Sequence, residues 1–188
     1  RVEKIRDSWE KQKDIKNVMI FLQQYGVSTA YAAKIYRQYG KESIDNVKEN
    51  PYRLADDIWG IGFKTADGIA SKMGYEKNDL RRCKSGIGYT LNELSNEGHV
   101  YAIEEQLIEA AKKLLEADEE PIRQAISEMI ASEDLIRENE AIYLPPFYHS
   151  ERGTAKKLLT LINSQGANNL GLKADIKAIE KASGIEYD

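Results

Sequence analysis

The sequence has very few of the residues that build disulfide frameworks and metal sites. Cysteine occurs once, at Cys83, so no disulfide can form within the chain, and a reducing cytoplasmic location is expected. Apolar residues at helical spacing around Cys83 predict a core position rather than a redox role. His99 and His149 are far apart and have no nearby ligand set, so each is interpreted as a strand or loop residue and no metal site is predicted.

Long apolar runs and a leader-like start are also missing, so we expect no membrane contact. Only four prolines interrupt the 188 residues, and apolar residues at helical spacing dominate. The first two stripes predict helices over 15–25 and 29–39, ended by Gly26 and Gly40. The start without methionine and the end within a charged stretch are what a piece of a larger protein would show.

Charge divides unevenly along the chain. Residues 1–90 contain 17 Lys and Arg against 12 Asp and Glu, whereas residues 91–188 contain 10 against 19. The split predicts two surfaces with different tasks.

A helix–glycine turn–helix unit occurs twice, at an offset of 34 residues. The matched pairs are Ile20 and Leu54, Tyr25 and Trp59, Gly26 and Gly60, Val27 and Ile61, Ala32 and Ala66, Ile35 and Ile69, and Gly40 and Gly74. Tetratricopeptide arrays share this period, but they need several stacked units to bury their faces. We call residues 25–31 the first hairpin and residues 59–65 the second hairpin.

The second hairpin reads WGIGFKT and has the composition of a phosphate-binding turn. Glycines let a ligand approach the backbone, and the first amides of a helix lack internal partners. The amides of Gly60, Gly62 and Lys64 could therefore converge on one phosphate, while Ile61 plugs inward and Lys64 adds a charge. Contacts of this kind predict sequence-independent DNA binding that salt weakens.

These strings resemble tandem helix-hairpin-helix motifs. The resemblance implies DNA-contacting residues in both copies: Gly60, Ile61, Gly62, Phe63, Lys64, Thr65, Gly26, Val27, Ser28 and Thr29. In the first hairpin Ser28 replaces the second glycine and Ala30 stands where Lys64 does, so that site is expected to be weaker or purely structural. A third pair, Gly86 and Gly88, is interpreted as helix packing.

Lys64 also raises an enzymatic alternative. The second hairpin resembles the G-x-G-x-K-T-A string of helix-hairpin-helix DNA glycosylase/lyases, whose lysine forms a Schiff base with the sugar. Such a lysine must be neutral. The aspartate context and four-cysteine cluster associated with those enzymes have no counterpart here, so a phosphate contact is favoured over a solvated charge or a nucleophile.

A wider resemblance covers most of the chain. The strings IKNVMIFLQQYGVS, NPYRLADDIWGIGFKTAD, GHVY and IYLPPFYHSE are similar to the region ahead of the motor core in RecD-like helicases, superfamily 1 DNA helicases related to the alpha subunit of exodeoxyribonuclease V. The resemblance implies single-stranded or forked DNA, the motor core and other recombination or repair subunits as partners, and 5′ to 3′ travel. ATP and Mg²⁺ would belong to the motor, since the G-x-x-x-x-G-K-[ST] loop is absent here. We therefore expect this fragment neither to hydrolyse ATP nor to unwind DNA.

Residues 99–144 have the order of a winged helix. A strand-like HVYAI precedes helices over 104–115 and 122–132, and strand-like DLIREN and AIYL flank a turn at Asn139 and Glu140. Arg123 is the only base of the second helix, so a packing or protein-contact role is expected there rather than DNA binding.

The predicted fold is mainly α: a tandem helix-hairpin-helix bundle followed by a small winged-helix-like α+β module. The predicted divisions are a lead-in (1–14), the hairpin domain (15–78), the winged-helix-like domain (79–148) and a helical connector to the motor (149–188). The connector should contain an amphipathic helix with Ala155, Leu158, Leu159 and Ile162 inward, a loop over 164–173, and a last short helix. The rival hypothesis is a protein-interaction scaffold in which the hairpins are only structural.

Overall fold

The computed structural model describes residues 2–163 and 172–184, and this part of the chain is mainly helical. It divides into two compact units, Arg1–Phe147 and Tyr148–Asp188. The helices are α1 (Val2–Gln24), α2 (Thr29–Tyr39), α3 (Ser43–Glu49), α4 (Arg53–Asp57), α5 (Phe63–Lys72), α6 (Leu80–Asn96), α7 (Glu104–Leu115), α8 (Glu119–Ala131), α9 (Pro145–Asn163) and α10 (Leu172–Ser183). The strands are β1 (Ala102–Ile103), β2 (Ile136–Glu138) and β3 (Ala141–Tyr143).

The predicted repeat is present as two helix pairs, α1 with α2 and α4 with α5. Gly26 and Gly60 occupy equivalent positions with φ of +80° and +93°, a region that residues with a Cβ rarely adopt. Between the pairs lies α3, a seven-residue helix that the sequence analysis did not predict. Helix α2 has the predicted bounds, and α1 begins well before the predicted residue 15.

The core of the first unit is continuous from the helix pairs to the sheet. Val27 and Ile61, the aliphatic residues of the two hairpins, are buried as predicted for Ile61. They join a cluster whose fully buried members include Leu22, Ile35, Leu54, Ile87, Leu107, Ile122 and Ile142. Each hairpin is therefore fixed from below by its central side chain, which leaves its backbone at the surface.

Helix α6 is followed by β1, α7, α8, β2 and β3, and the strands form an antiparallel sheet in the order β1-β3-β2. Ile142 of β3 pairs with Ala102 on one side and Arg137 on the other. This is the helix, helix and two-stranded wing order predicted for the module, with Asn139 at φ +56° in the turn of the wing. The predicted mainly α fold with a small α+β module is confirmed; the residue limits set for the domains stay a prediction.

The third glycine pair serves packing, at least at one of its two positions. Gly86 lies inside the uninterrupted α6, where an added Cβ would come within 2.5 Å of Leu115 Cδ2. At Gly88 an added Cβ would meet nothing within 4 Å. Cys83 is fully buried on the same helix, and this burial raises the pKa of its thiol.

Arg82 joins the hairpin elements to the winged-helix-like elements. Its guanidinium binds both carboxylate oxygens of Asp67 on α5, at 2.7 and 2.9 Å, and donates to the Leu115 carbonyl at the end of α7 at 2.7 Å. The same carboxylate accepts a hydrogen bond from Tyr52. These bonds fix α5 against α6, which is the helix that flanks the second hairpin.

The second unit contains most of α9 and all of α10. Ala155, Leu158, Leu159 and Ile162 were predicted to face inward, but all four are exposed, Ile162 at 76%, so that prediction is wrong. An amphipathic pattern identifies an apolar face without identifying what covers it. His149 lies in α9 rather than in a strand or loop. Most of the predicted loop over 164–173 lies outside the described residues.

Candidate nucleic-acid interface at the second hairpin

The second hairpin has an open backbone at the start of α5. Gly62 is the N-cap, with φ −97° and ψ 174°, and it contributes no side-chain cap. Ile61 is 3% exposed, while Gly60, Gly62 and Lys64 are exposed. The buried aliphatic residue thus holds a turn whose flanking glycines face solvent.

Two side chains of α2 fix the carbonyls of this turn. Tyr31 Oη donates to the Gly60 oxygen at 2.8 Å, and Lys34 Nζ donates to the Trp59 oxygen at 3.0 Å. In a planar trans peptide the N–H points opposite to the C=O. Because the Trp59 carbonyl points toward α2, the amide of Gly60 points away from α2.

Several amides of the second hairpin have no acceptor among the described residues. Ile61 N donates to the Ile58 oxygen, and the amides of Thr65 and Ala66 both donate to the Gly62 oxygen. That leaves five donors of this hairpin unpaired in the described part of the chain: Trp59, Gly60, Gly62, Phe63 and Lys64. Unpaired donors at a helix start carry positive potential and are suited to an anion.

The space in front of Gly62 is empty. An added Cβ would meet nothing within 4 Å, and the backbone angles of Gly62 are ones that any residue adopts. Neither packing nor conformation of the described residues therefore requires glycine here. A glycine here lets a ligand approach the backbone at the start of α5 closely.

Lys64 supplies a charge beside these amides. Its side chain is exposed and forms no ion pair with any residue that the structure describes. Its Nζ lies 5.7 Å from the ring centroid of Tyr89, which in turn stacks on Phe63 at 5.3 Å. This position fits an electrostatic contact and lacks the burial that a nucleophilic lysine needs.

The first hairpin has a similar trace and a different surface. Ser28 is the N-cap of α2, and its Oγ accepts from the Tyr31 amide at 3.3 Å. The amide of Gly26 is also paired, with the Gln23 oxygen, and the Lys72 ammonium lies against the position of a Gly26 Cβ. Among described residues the unpaired amides of this hairpin are those of residues 28–30, and Ala30 brings no charge.

A groove of about 720 Å³ continues from Gly62 along α6. Its basic residues form ion pairs within the chain: Arg81 pairs with Asp79, and Lys84 pairs with Glu128 at 2.7 Å. Asp56 adds a carboxylate whose pKa is raised, first by burial and then by the neighbouring Asp57. The groove is therefore of mixed charge and gives no continuous cationic path.

The second helix of the wing module is no more cationic. Arg123 is held by Glu105 at 2.9 Å and Glu119 at 2.8 Å, which leaves it no free charge for a phosphate. Within residues 2–163 and 172–184 no cluster of His, Cys, Asp and Glu has the arrangement of a metal site. No helix in that part of the chain is long and apolar enough to span a membrane.

The structure brings the predicted residues of each hairpin together, although it leaves their contact with DNA untested. Tyr31, Lys34 and Trp59 belong to the same surface and were missed as site residues. Tyr31 and Lys34 are three residues apart on one helix, so the sequence placed them on one face. No sequence pattern predicted that this face of α2 would contact the turn of the second repeat.

Two hairpins, each with a left-handed glycine, a buried aliphatic residue and a following helix, define a tandem helix-hairpin-helix domain. Residues 11–101 match the family model described as the ATP-dependent RecD2 DNA helicase HHH domain. This segment is therefore similar to the helix-hairpin-helix region of RecD-like helicases.

A curated relative extends the similarity beyond the hairpins. The ATP-dependent RecD2 DNA helicase of Deinococcus radiodurans is 22% identical over 182 residues, which cover 89% of this chain and 25% of the relative. The chain thus spans about a quarter of the length of the relative that it matches.

Proposed function

We propose that this chain is an accessory DNA-binding region of an ATP-dependent RecD-like helicase, and that the second hairpin binds the phosphate backbone without regard to base sequence. The observation that carries the proposal is the set of amides at Gly60, Gly62, Phe63 and Lys64, which are unpaired among the described residues. Gly60, Gly62 and Lys64 are exposed, and Lys64 forms no ion pair with a described residue. Phosphate contacts of this kind give affinity and position but no base specificity.

The activity of the whole protein is part of the same proposal. The matching relative is named as an ATP-dependent helicase and is about four times as long as the matched segment. ATP and Mg²⁺ would bind in a motor core, and this region would guide or anchor a strand for it in cytoplasmic DNA recombination or repair. On this account the region itself neither hydrolyses ATP nor unwinds DNA.

Binding of a labelled oligonucleotide across a salt series tests the proposal. Lys64→Glu should weaken binding by more than roughly tenfold at low salt and reduce the salt slope by about one. The matched control is Lys113→Glu on α7, an exposed lysine far along the chain from both hairpins. Since both variants change the net charge equally, equal losses would point to a nonspecific charge effect.

The scaffold hypothesis makes the opposite forecast. If the hairpins are structural only, wild-type protein shows no salt-dependent DNA affinity and Lys64→Glu changes nothing. That result would contradict the proposed function.

A second candidate role is docking of the motor core, and the exposed apolar residues of α9 are the observation that favours it. Leu158, Leu161 and Ile162 are exposed on this helix, and an apolar face of that kind is suited to a protein contact. We propose the motor core as its partner. Amide hydrogen exchange of α9 should slow in the full-length helicase relative to the 188-residue chain; equal exchange would contradict this role.

A further inference from the structure

Trp59 has a large aromatic side chain that is exposed at the protein surface. It is 90% exposed, although it directly precedes Gly60 in a well-packed turn. Its counterpart in the first hairpin, Tyr25, is half-buried and packs edge-on against Phe21 with ring centroids 5.0 Å apart. The aromatic residue at this position is therefore partly covered in the first copy and exposed in the second.

The exposed ring is braced on one side by Lys34. Its Nζ lies 5.3 Å from the Trp59 ring centroid while it donates to the Trp59 carbonyl oxygen at 3.0 Å. A cation over an aromatic face is attracted by the ring quadrupole, so this arrangement favours one orientation of the indole. With the ammonium over one face and an exposure of 90%, the ring presents a face to solvent.

We propose that Trp59 is a stacking platform for an unpaired nucleobase, so that the second hairpin prefers single-stranded DNA or the open strand of a fork over closed duplex. This inference rests on the proposed function of the same hairpin. Trp59 is covalently joined to Gly60, whose amide is unpaired among the described residues, so a nucleotide whose phosphate lies on these amides has its base near the indole. Aromatic rings next to cationic backbone sites are the means by which single strands are bound without sequence preference.

Duplex DNA cannot make this contact along its length, because each of its bases is already stacked and paired. An exposed tryptophan can also anchor a protein partner. The unpaired amides next to Trp59 and the Lys34 ammonium over its ring favour a nucleotide over an apolar protein surface, because an apolar partner would leave these donors and this charge unsatisfied.

The test uses the 188-residue chain with Trp9→Phe, in which Trp59 is the remaining tryptophan. Titration with a short oligothymidine should quench the Trp59 emission. Adding Trp59→Ala should weaken oligothymidine binding roughly tenfold, whereas duplex binding should change less than about twofold. Because the side chain is exposed, neither Trp59→Ala nor Trp59→Phe should alter the fold, and Trp59→Phe should keep most of the affinity.

A strand of the same length with abasic sugars separates stacking from phosphate binding. On that strand Trp59→Ala should have no effect, because the phosphates are present and the bases are not. Lys34→Gln should lower the affinity for oligothymidine by a smaller factor than Trp59→Ala.

The outcomes distinguish the two proposals. If DNA binds with a salt dependence that requires Lys64, but Trp59→Ala weakens oligothymidine, abasic strand and duplex alike or not at all, the stacking inference is wrong and the proposed function stands. If no DNA of any form binds, both are wrong. Quenching by oligothymidine, with a loss in Trp59→Ala confined to strands that have bases, supports the inference.

Discussion

The two hairpins share a backbone path and differ in what they offer to an anion. In the first, Ser28 Oγ caps the Tyr31 amide, the Gly26 amide is paired, and position 30 is alanine. In the second, the N-cap is a glycine without a side chain, the Gly60 amide is unpaired among the described residues, and position 64 is lysine. Among the described residues both helix starts have three unpaired amides, at residues 28–30 and at residues 62–64, and the second hairpin adds the unpaired Gly60 amide, a glycine N-cap and a lysine.

The difference shows that fold and site are separate properties of the repeat. The left-handed glycine and the buried aliphatic residue are common to both copies, and they are what the turn needs. The second glycine and the lysine occur in the second copy alone, and the packing of the described residues gives no reason for the glycine. Predictions that exchange features between the copies therefore probe the site without disturbing the core.

The largest effect is expected for a carboxylate at the N-cap of the second hairpin. Aspartate is a strong N-cap residue, so Gly62→Asp should leave the melting temperature unchanged or slightly raised. Its carboxylate would occupy the unpaired amides and repel phosphate, so DNA affinity should fall by about 2 kcal/mol, roughly thirtyfold. Calorimetry and binding anisotropy on the same samples measure the two effects.

Ser28→Asp is the matched variant in the first hairpin. It places the same carboxylate at the N-cap of α2, and we expect a much smaller loss of DNA affinity. Equal losses at the two positions would contradict the assignment of the site to the second hairpin.

An intermediate effect is expected when the lysine is moved from one copy to the other. The double variant Lys64→Ala with Ala30→Lys keeps the net charge and moves the cation to the first hairpin. Because fewer amides are unpaired there, affinity should fall by about 1.4 kcal/mol, roughly tenfold. Unchanged affinity would mean that the two hairpins are interchangeable.

The smallest effect concerns the third glycine pair, which has no role in the proposed site. Gly86→Ala would press a methyl group against Leu115, and after the gain in helix propensity we expect a net loss of about 1 kcal/mol in the free energy of unfolding. Gly88→Ala, with open space around it, should instead gain up to about 1 kcal/mol. Chemical denaturation measures both, and neither variant should change DNA affinity; an affinity loss in Gly88→Ala would reopen a role for this pair.

Much of the fold could be predicted because its signals are local. The helix over 29–39 is bracketed by Ser28 and Gly40, and the helix over 104–115 has a clear apolar stripe, so both were predicted with the observed bounds. The short α3 was missed because seven residues give too little periodicity. The α9 helix begins at Pro145, before the helical connector predicted from residue 149, and proline suits a first turn.

The residues of the hairpin itself could be predicted from the sequence, but the residues that surround it in the fold could not. The glycine, aliphatic and lysine positions of the second hairpin follow from the motif itself. The contacts of Tyr31 and Lys34 with the Trp59–Gly60 turn depend on how one repeat packs on the other, which is a tertiary fact at a separation of 25 to 29 residues. The exposure of Trp59 could not be predicted from the repeat either, because the matched residue Tyr25 is half-buried.

The most direct measurement is a nitrogen–proton correlation spectrum of the labelled chain during titration with a short DNA strand at low salt. Our account predicts that the amide signals of Gly60, Gly62, Phe63 and Lys64 shift most, that those of residues 28–30 shift less, and that added salt reverses the changes. Saturable DNA binding that leaves those four signals in place would contradict the claim that the open start of α5 holds the phosphate.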